Sequence, residues 1–321
     1  MSASQPRIVL LHLGQIHDET PALRDFLADR GMASDLVPLP SAEALGEPRR
    51  DAIDWARFDR VSLRDCRGSH GHADFLPRIT ELARRLAALA VPLANPLPVI
   101  QAGHAKSAYL PRLERQGIPL IPTRWLPRGW RGSLVAMLES CGWSEAVLKP
   151  SIGSRSWQTY RVRREGRRLV IHGADGAVPV EADGADALAE RLAREGEVCL
   201  QRFLPAIGRA GEFSAVFLGG RFSHAVAKTV AYGGWIAHEH FGGCNRPHRA
   251  SEAERGWAEA VERQLRRRFG VLPYARIDGI RDEGGDLLLL ECELVAPRLF
   301  LTEGEAFGRY ADVLLGAMGR G

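Results

Sequence analysis

The first third of the chain alternates apolar runs of strand length with segments of helical period. "RIVLLHL" (7–13) is a strand candidate, and "TPALRDFLADRG" (20–31) a helix with Thr20 as N-cap, Pro21 at its first position and Gly31 at its end. "FDRVSLRDC" (58–66) predicts a second strand and "FLPRITELARRLAALA" (75–90) a long amphipathic helix, after which "VPLANP" (91–96) closes the unit. This βαβ rhythm predicts a parallel sheet with helices packed on it. Ligands of such sheets bind beyond the carboxyl ends of the strands, so "RDCRGSHGH" (64–72), with Arg64 at its start, is a candidate ligand loop.

The pattern changes after residue 98. "GHAKSAYLPRLERQG" (103–117) reads as one helix, "IPLIPT" (118–123) as a strand, and "AVLKP" (146–150) as a short strand followed by the small, hydroxyl-rich loop "SIGSRS" (151–156). "TYRVRREGRRLVIHG" (159–173) reads as a hairpin, "ADALAERLAREG" (185–196) as a helix and "EVCLQRFL" (197–204) as a strand. Two further hairpins are predicted, one over 212–228 turning at Gly219–Gly220 and one over 274–294 turning near Gly284–Gly285. Between them "SEAERGWAEAVERQLRRRFG" (251–270) predicts a helix whose Ser251 and Glu254 are spaced as a capping box. Its Trp257, Val261, Leu265 and Phe269 recur every fourth residue, a core stripe rather than a site. Three domains are expected: 1–98, 99–200 and 201–321.

Composition narrows the class. With 321 residues, 45% hydrophobic and 26% charged, the chain reads as a globular protein with ample core. Its net charge of +4 is spread out, apart from "RRR" at 266–268, so no nucleic-acid partner is expected. No apolar run approaches the ~18 residues of a membrane span, and "MSASQPRIVLLHLG" lacks the basic start of a signal peptide. Five cysteines without a CxxC suit reduced thiols and a cytoplasmic location. Among 43 Lys plus Arg, only Lys106, Lys149 and Lys228 are lysines. A compact ammonium kept against an arginine habit suits a phosphate reached along a narrow path, although chance survival explains any one of them as well.

Side-chain direction in the second hairpin brings out chemistry. Alternate strand residues share a face, so Arg276 and Asp278 point together, as do Glu291 and Glu293 on the partner strand. Three carboxylates that close are costly unless a cation neutralises them, and hard oxygen donors suit Mg²⁺. The alternative is a solvated hairpin face, against which the apolar "LLLLECEL" (287–294) argues.

Arg276-x-Asp278, followed by Glu291-x-Glu293, resembles the metal-binding hairpin of the ATP-grasp ligases. Within that superfamily the chain resembles the glutathione-synthetase-like branch and the small cyclo-ligases of cycloserine-type biosynthesis. The likeness is strongest from about 95 to 301 and only topological before that. It implies an α/β (α+β) ATP-grasp fold: an N-terminal βαβ substrate domain, a central lid and a C-terminal subdomain clasping ATP with Mg²⁺, two ions being expected. It further implies that Lys106, Lys149 and Lys228 reach the nucleotide's phosphates and that the 151–156 loop, with Ser151 and Ser154, closes over them. Gln201, Arg202 and Leu204 would read the adenine, and Glu212 would bind the ribose. Asp278, Glu291 and Glu293 would hold the metal. Arg276 and Lys228 would be catalytic, Arg276 stabilising a tetrahedral oxyanion.

Some positions depart from that pattern. Glu293 stands where many ATP-grasp enzymes carry Asn, and Ala296-Pro297-Arg298 stands where the cyclo-ligases are expected to carry Glu-Pro-Ser. The loop 64–72 lacks the aromatic residues usual in that branch. The latter two changes fall on substrate surfaces, where Arg298, Arg64, His238 and His240 are candidate contacts. His238, His240, Cys244 and His248 also lie close enough in sequence for a zinc site, though their spacing fits no specific zinc motif. The expected reaction is ATP-dependent activation of a small-molecule carboxylate as an acyl phosphate, attacked by a nitrogen nucleophile in intermolecular ligation or ring closure. A non-catalytic nucleotide-binding protein is the alternative. The oligomeric state is open, a homodimer being the one to test.

Overall fold

The computed structural model describes residues 5–17, 19–47, 53–166, 168–173, 176–180, 182–301 and 304–316. Among these, three sheets account for every strand. The first is parallel: β1 (Arg7–His12), β2 (Ala33–Pro38), β3 (Arg60–Asp65) and β4 (Leu93–Ala94), in the order β2-β1-β3-β4. Ile8 to Leu11 are fully inaccessible, as a strand covered on both faces must be. The helix Phe75–Ala88 lies over it through Phe75, Ile79, Leu82 and Leu86.

The second sheet is antiparallel and contains β5 (Thr123–Leu126), β6 (Glu145–Pro150), β7 (Tyr160–Glu165), β8 (Arg168–Gly173), β9 (Gly176–Val180) and β10 (Val198–Arg202), in the order β5-β10-β6-β7-β8-β9. Its core draws only on residues between Leu126 and Leu200. The third is also antiparallel, with β11 (Glu212–Leu218), β12 (Arg221–Thr229), β13 (Cys244–His248), β14 (Tyr274–Arg281) and β15 (Leu287–Glu293), in the order β13-β12-β11-β14-β15. The helix Glu252–Phe269 covers it, with the Ser251–Glu254 capping box formed as predicted and Val261 and Leu265 buried. Trp257 and Phe269 flank the same core.

The first and third sheets share a core in which Ile8 and Leu10 meet Val216, Leu218 and Tyr274. Asn95, fully buried at their junction, donates to the Tyr274 and Leu294 carbonyls at 2.9 and 3.0 Å. Its Oδ1 accepts from Tyr274 N at 3.3 Å, so each polar end of the amide is used. No helix among the described residues is long and apolar enough to cross a membrane.

The local chemistry corrects several sequence expectations. The helix expected over 103–117 is broken: Leu97–His104 stops at the extended Ala105, Lys106–Ala108 form a single 3₁₀ turn, and Leu110–Arg115 restarts with Pro111 in its first turn. The break lets Lys106 N donate to the Ser151 carbonyl at 3.0 Å, fastening the lysine beside the 151–156 loop. In place of a strand over 118–123, only Leu120 bridges to Leu289, and pairing begins at Thr123. The first helix starts at Glu19, so Thr20 lies inside it rather than capping it. β2 and β13 were not anticipated, and β13 makes a strand of part of the stretch 238–248.

Candidate active site

Strand register assembles the site on one face of the third sheet. Asp278 lies opposite Glu291 and Arg276 opposite Glu293, with Leu290 bulged out between the pairs Asp278–Glu291 and Gly279–Leu289. Across the other edge Ser214 faces Asp278, and Glu212 faces Lys228 on β12. Alternate positions on four adjacent strands therefore give one row of Lys228, Glu212, Ser214, Asp278 and Glu291, with Arg276 and Glu293 beside it. One oxygen from each of Asp278, Glu291 and Glu293 lies within 4.8 Å of the others.

Cations hold these carboxylates. Arg276 donates to Asp278 through Nε at 2.9 Å and Nη2 at 2.7 Å, and from Nη2 to Glu293 at 2.9 Å. Lys228 pairs with Glu212 and lies 3.5 Å from Asp278 Oδ2, while Ser214 Oγ donates to Asp278 Oδ1 at 2.7 Å. Lys106 Nζ reaches Glu291 at 3.1 Å and the Gly153 carbonyl at 3.0 Å. Burial would raise the Asp278 carboxyl, but Arg276 and Lys228 outweigh it and hold it well below the usual range. Glu291 is lowered because Lys106 and Lys149 overcome its burial. Glu293 is raised, burial and the neighbouring carboxylates prevailing over Arg276. Burial pushes Glu212 up to about 7 against the pull of Lys228.

Two cavities flank the row. The smaller, about 100 Å³, is lined by Lys149, Gln201, Arg202, Leu204 and Glu212 together with the apolar Ile121, Val147 and Ile280. There Lys149 Nζ donates to Gln201 Oε1 at 3.1 Å, and Gln201 Nε2 donates to Thr123 at 3.1 Å. The Arg202 side chain runs outward to Glu283 at 3.3 Å. The larger cavity, about 410 Å³, opens on the other side of the row. Lys228, Arg276, Glu293, Ser154, His238, His240 and Arg298 reach it. Of the residues expected at a nucleotide, Lys149, Gln201, Arg202, Leu204 and Glu212 line the smaller cavity, Lys228 and Ser154 line the larger one with the substrate candidates His238, His240 and Arg298, and Lys106 lines neither.

Not every expected residue reaches these cavities. Arg64 is fully buried, paired with Glu19 at 3.3 Å and set over the Tyr310 ring at 5.2 Å, so it braces the first sheet and contacts neither cavity. Ser151 is also turned away: its hydroxyl serves Ser107 N and Oγ at 3.0 and 2.7 Å. Ser154 Oγ accepts from Gly68 N at 3.3 Å and meets His70 Nδ1 at 3.1 Å, tying the loop to residues 64–72. Arg298 pairs with Glu239 at 2.5 Å. His238 Nδ1 accepts from His240 N, and burial with Arg155 and Lys228 lowers the His238 ring to about 4. His248 instead pairs with Glu254 at 2.9 Å, and Asp278, Glu291 and Glu293 form the only metal-compatible group found among the described residues, so the zinc arrangement is not assembled. Ser214, Arg67, Arg155 and His17 were missed. Ser214 was legible, two residues beyond Glu212 on the same strand face; the other three become neighbours only through tertiary packing.

No protein-family model matches the chain. The cycloserine biosynthesis protein DcsG of Streptomyces lavendulae is 27% identical over 267 residues, covering 79% of this chain and 81% of that protein. The crystal structure of D-cycloserine synthetase DcsG superposes with a TM-score of 0.75 at 23% identity, over 97% of this chain and 99% of the other. D-alanine–D-alanine ligase from Bacillus anthracis, complexed with ATP, gives 0.63 at 14% identity, over 98% of each chain. The ATP-grasp ligase PsnB, complexed with precursor, Mg and ADP, gives 0.59 at 15%, again over 98% of each. The three-sheet architecture and these likenesses agree that the chain has the ATP-grasp fold, and it is similar to the cycloserine biosynthesis protein DcsG and to ATP-grasp ligases.

Proposed function

We propose that this protein uses ATP to activate a small-molecule carboxylate as an acyl phosphate, which a nitrogen nucleophile attacks to form a C–N bond. The observation that carries this reading is the row Lys228, Glu212, Asp278 and Glu291 running between a smaller, partly apolar cavity and a larger polar one. Three carboxylate oxygens within 4.8 Å form a hard donor set that fits Mg²⁺. Asp278, Glu291 and Glu293 would hold Mg²⁺, which would supply charge neutralisation at the phosphates; two ions belong to the proposal.

On this reading, Gln201 and the backbone of Arg202 and Leu204 meet the adenine, and Glu212 accepts from the ribose hydroxyls. Lys106 and Lys149 take the phosphates from the lid side. Lys228 bears on the γ-phosphoryl as it moves to the carboxylate, and Arg276 stabilises the oxyanion formed when nitrogen attacks. The three domains proposed are 1–98, 99–200 and 201–321.

The test is a panel of amino-acid-like carboxylates and amines scored by ADP formation and then product mass. A product lighter than its substrate by one water identifies ring closure; a joined mass identifies ligation. Glu291→Gln is expected to abolish turnover and weaken Mg·ATP binding while the circular dichroism spectrum is kept. Near wild-type turnover by that variant would remove the metal assignment.

A further inference from the structure

The wall of the larger cavity carries two kinds of cation, those paired within the carboxylate row and those outside it. At the carboxylate row its cations are already matched, Lys228 by Glu212 and Arg276 by Asp278 and Glu293. The same wall carries Arg67, Arg155 and Arg298, with Glu239 the carboxylate in it besides Glu293. Arg298 and Glu239 pair with each other. Arg67 leans on Asp65 at 3.4 Å, and its Nε is buried without a hydrogen-bond partner. Arg155 Nη1 donates to the neutral Gln15 Oε1 at 3.0 Å, and no carboxylate among the described residues pairs with it.

These guanidiniums come from different parts of the molecule. Arg67 belongs to the loop after β3, Arg155 to the 151–156 loop, and Arg298 follows β15. They nevertheless bear on one point: His17 is lowered by its burial and then by Arg67, Arg155 and Arg298. His238, also in the wall, is lowered by burial and by Arg155 and Lys228. Both rings are therefore neutral near pH 7 and add no charge of their own. A half-enclosed space with a surplus guanidinium and an orphaned buried donor is completed by an oxyanion, which guanidinium forks bind in bidentate fashion.

We infer that the substrate carries a second anionic group, carboxylate or phosphate, besides the carboxylate to be activated, and that Arg155 and Arg67 grip it with Arg298 alongside. This rests on the ligase reading of the same site. Because Arg155 lies on the lid loop and Arg67 on the N-terminal loop, such a group would join the two across the cavity. A neutral amino acid would leave that junction open.

The probes are serine, aspartate, glutamate and O-phosphoserine, each as both enantiomers, titrated calorimetrically against the full chain with Mg·ADP. At least one acidic probe is expected to bind about tenfold or more tightly than serine, the size of one charge-assisted contact. Aspartate and glutamate against O-phosphoserine separate a carboxylate from a phosphate. Arg155→Gln and Arg67→Gln should each abolish the preference, scored within each variant as the ratio of acidic-probe to serine affinity so that any change passed through the 151–156 loop cancels; the Arg155 variant remains decisive if loss of the Asp65 partner destabilises the other. Equal binding of acidic and neutral probes, or a preference surviving Arg155→Gln, would overturn the inference. So would an Arg155→Gln protein that loses ATP affinity alone, because Arg155 would then serve the nucleotide. Failure of the wild type to bind Mg·ATP would instead count against the ligase reading, and the probe preference would still be scored on the nucleotide-free protein.

Discussion

Lys149 shows what a single side chain can decide. Its ammonium lies 3.1 Å from Gln201 Oε1, at the border between the smaller cavity and the carboxylate row. A guanidinium is longer, planar and less compact, so it cannot place one point charge in the same spot. Lys149→Arg should therefore lower kcat/KM for ATP nearly as far as Lys149→Ala, by about 100-fold. A fully active arginine variant would return this lysine to the chance of composition. All three lysines stand out in the sequence because each breaks an arginine habit, and each contacts a side chain of the candidate site, Lys106 Glu291, Lys149 Gln201 and Lys228 Glu212. Arg64 was misread for the opposite reason: nothing in "RDC" reveals that Glu19, far off in sequence, claims its guanidinium.

The hairpins and the Ser251–Glu254 capping box were the most legible elements, whereas Thr20 falls inside its helix and does not cap it. The three hairpins carry local signals, alternation and glycine turns, and all formed where expected. β2 and β13 lack such signals. β2 is half-buried along most of its length, and β13, "CNRPH", is a polar edge strand containing a proline, held by its register with β12. The capping box of the helix Glu252–Phe269 offers a pH test. Burial opposes ionisation of Glu254, but hydrogen bonds from Ser251 N at 2.7 Å and from His248 lower its carboxyl to about 2 from an ordinary 4.5. A folded value below the unfolded one contributes stability above about pH 4.5 and loses it as pH falls from there through about 2. Glu254→Gln should thus cost on the order of 1–2 kcal/mol at pH 7. The gap to wild type in urea unfolding should close across that acid window; a gap independent of pH would assign the loss to packing.

At the scale of the molecule, the first and third sheets are fused through a common core and the Asn95 network, whereas the second keeps a core of its own. The 151–156 loop and Trp157 just beyond it touch two loops of the N-terminal sheet, through Ser154 with Gly68 and His70, through the rings of His70 and Trp157 4.6 Å apart, and through Arg155 with Gln15. His70→Ala removes a hydrogen bond and a ring contact from that latch. It is expected to raise the KM for ATP about three- to tenfold and to speed tryptic cleavage after Arg155. Unchanged values for both would show that the latch does not hold the lid.

The latch also bears on how such an enzyme acquires a new substrate. The stretch 64–72 supplies Arg67 to the larger cavity and, through Gly68 and His70, the contacts that hold the lid loop. On the proposed function, a mutation selected there for a different acceptor would disturb closure over the nucleotide as well. Divergence along this lineage should proceed by paired changes, one in the loop and a compensating one in the lid, with single changes passing through a catalytically poor intermediate.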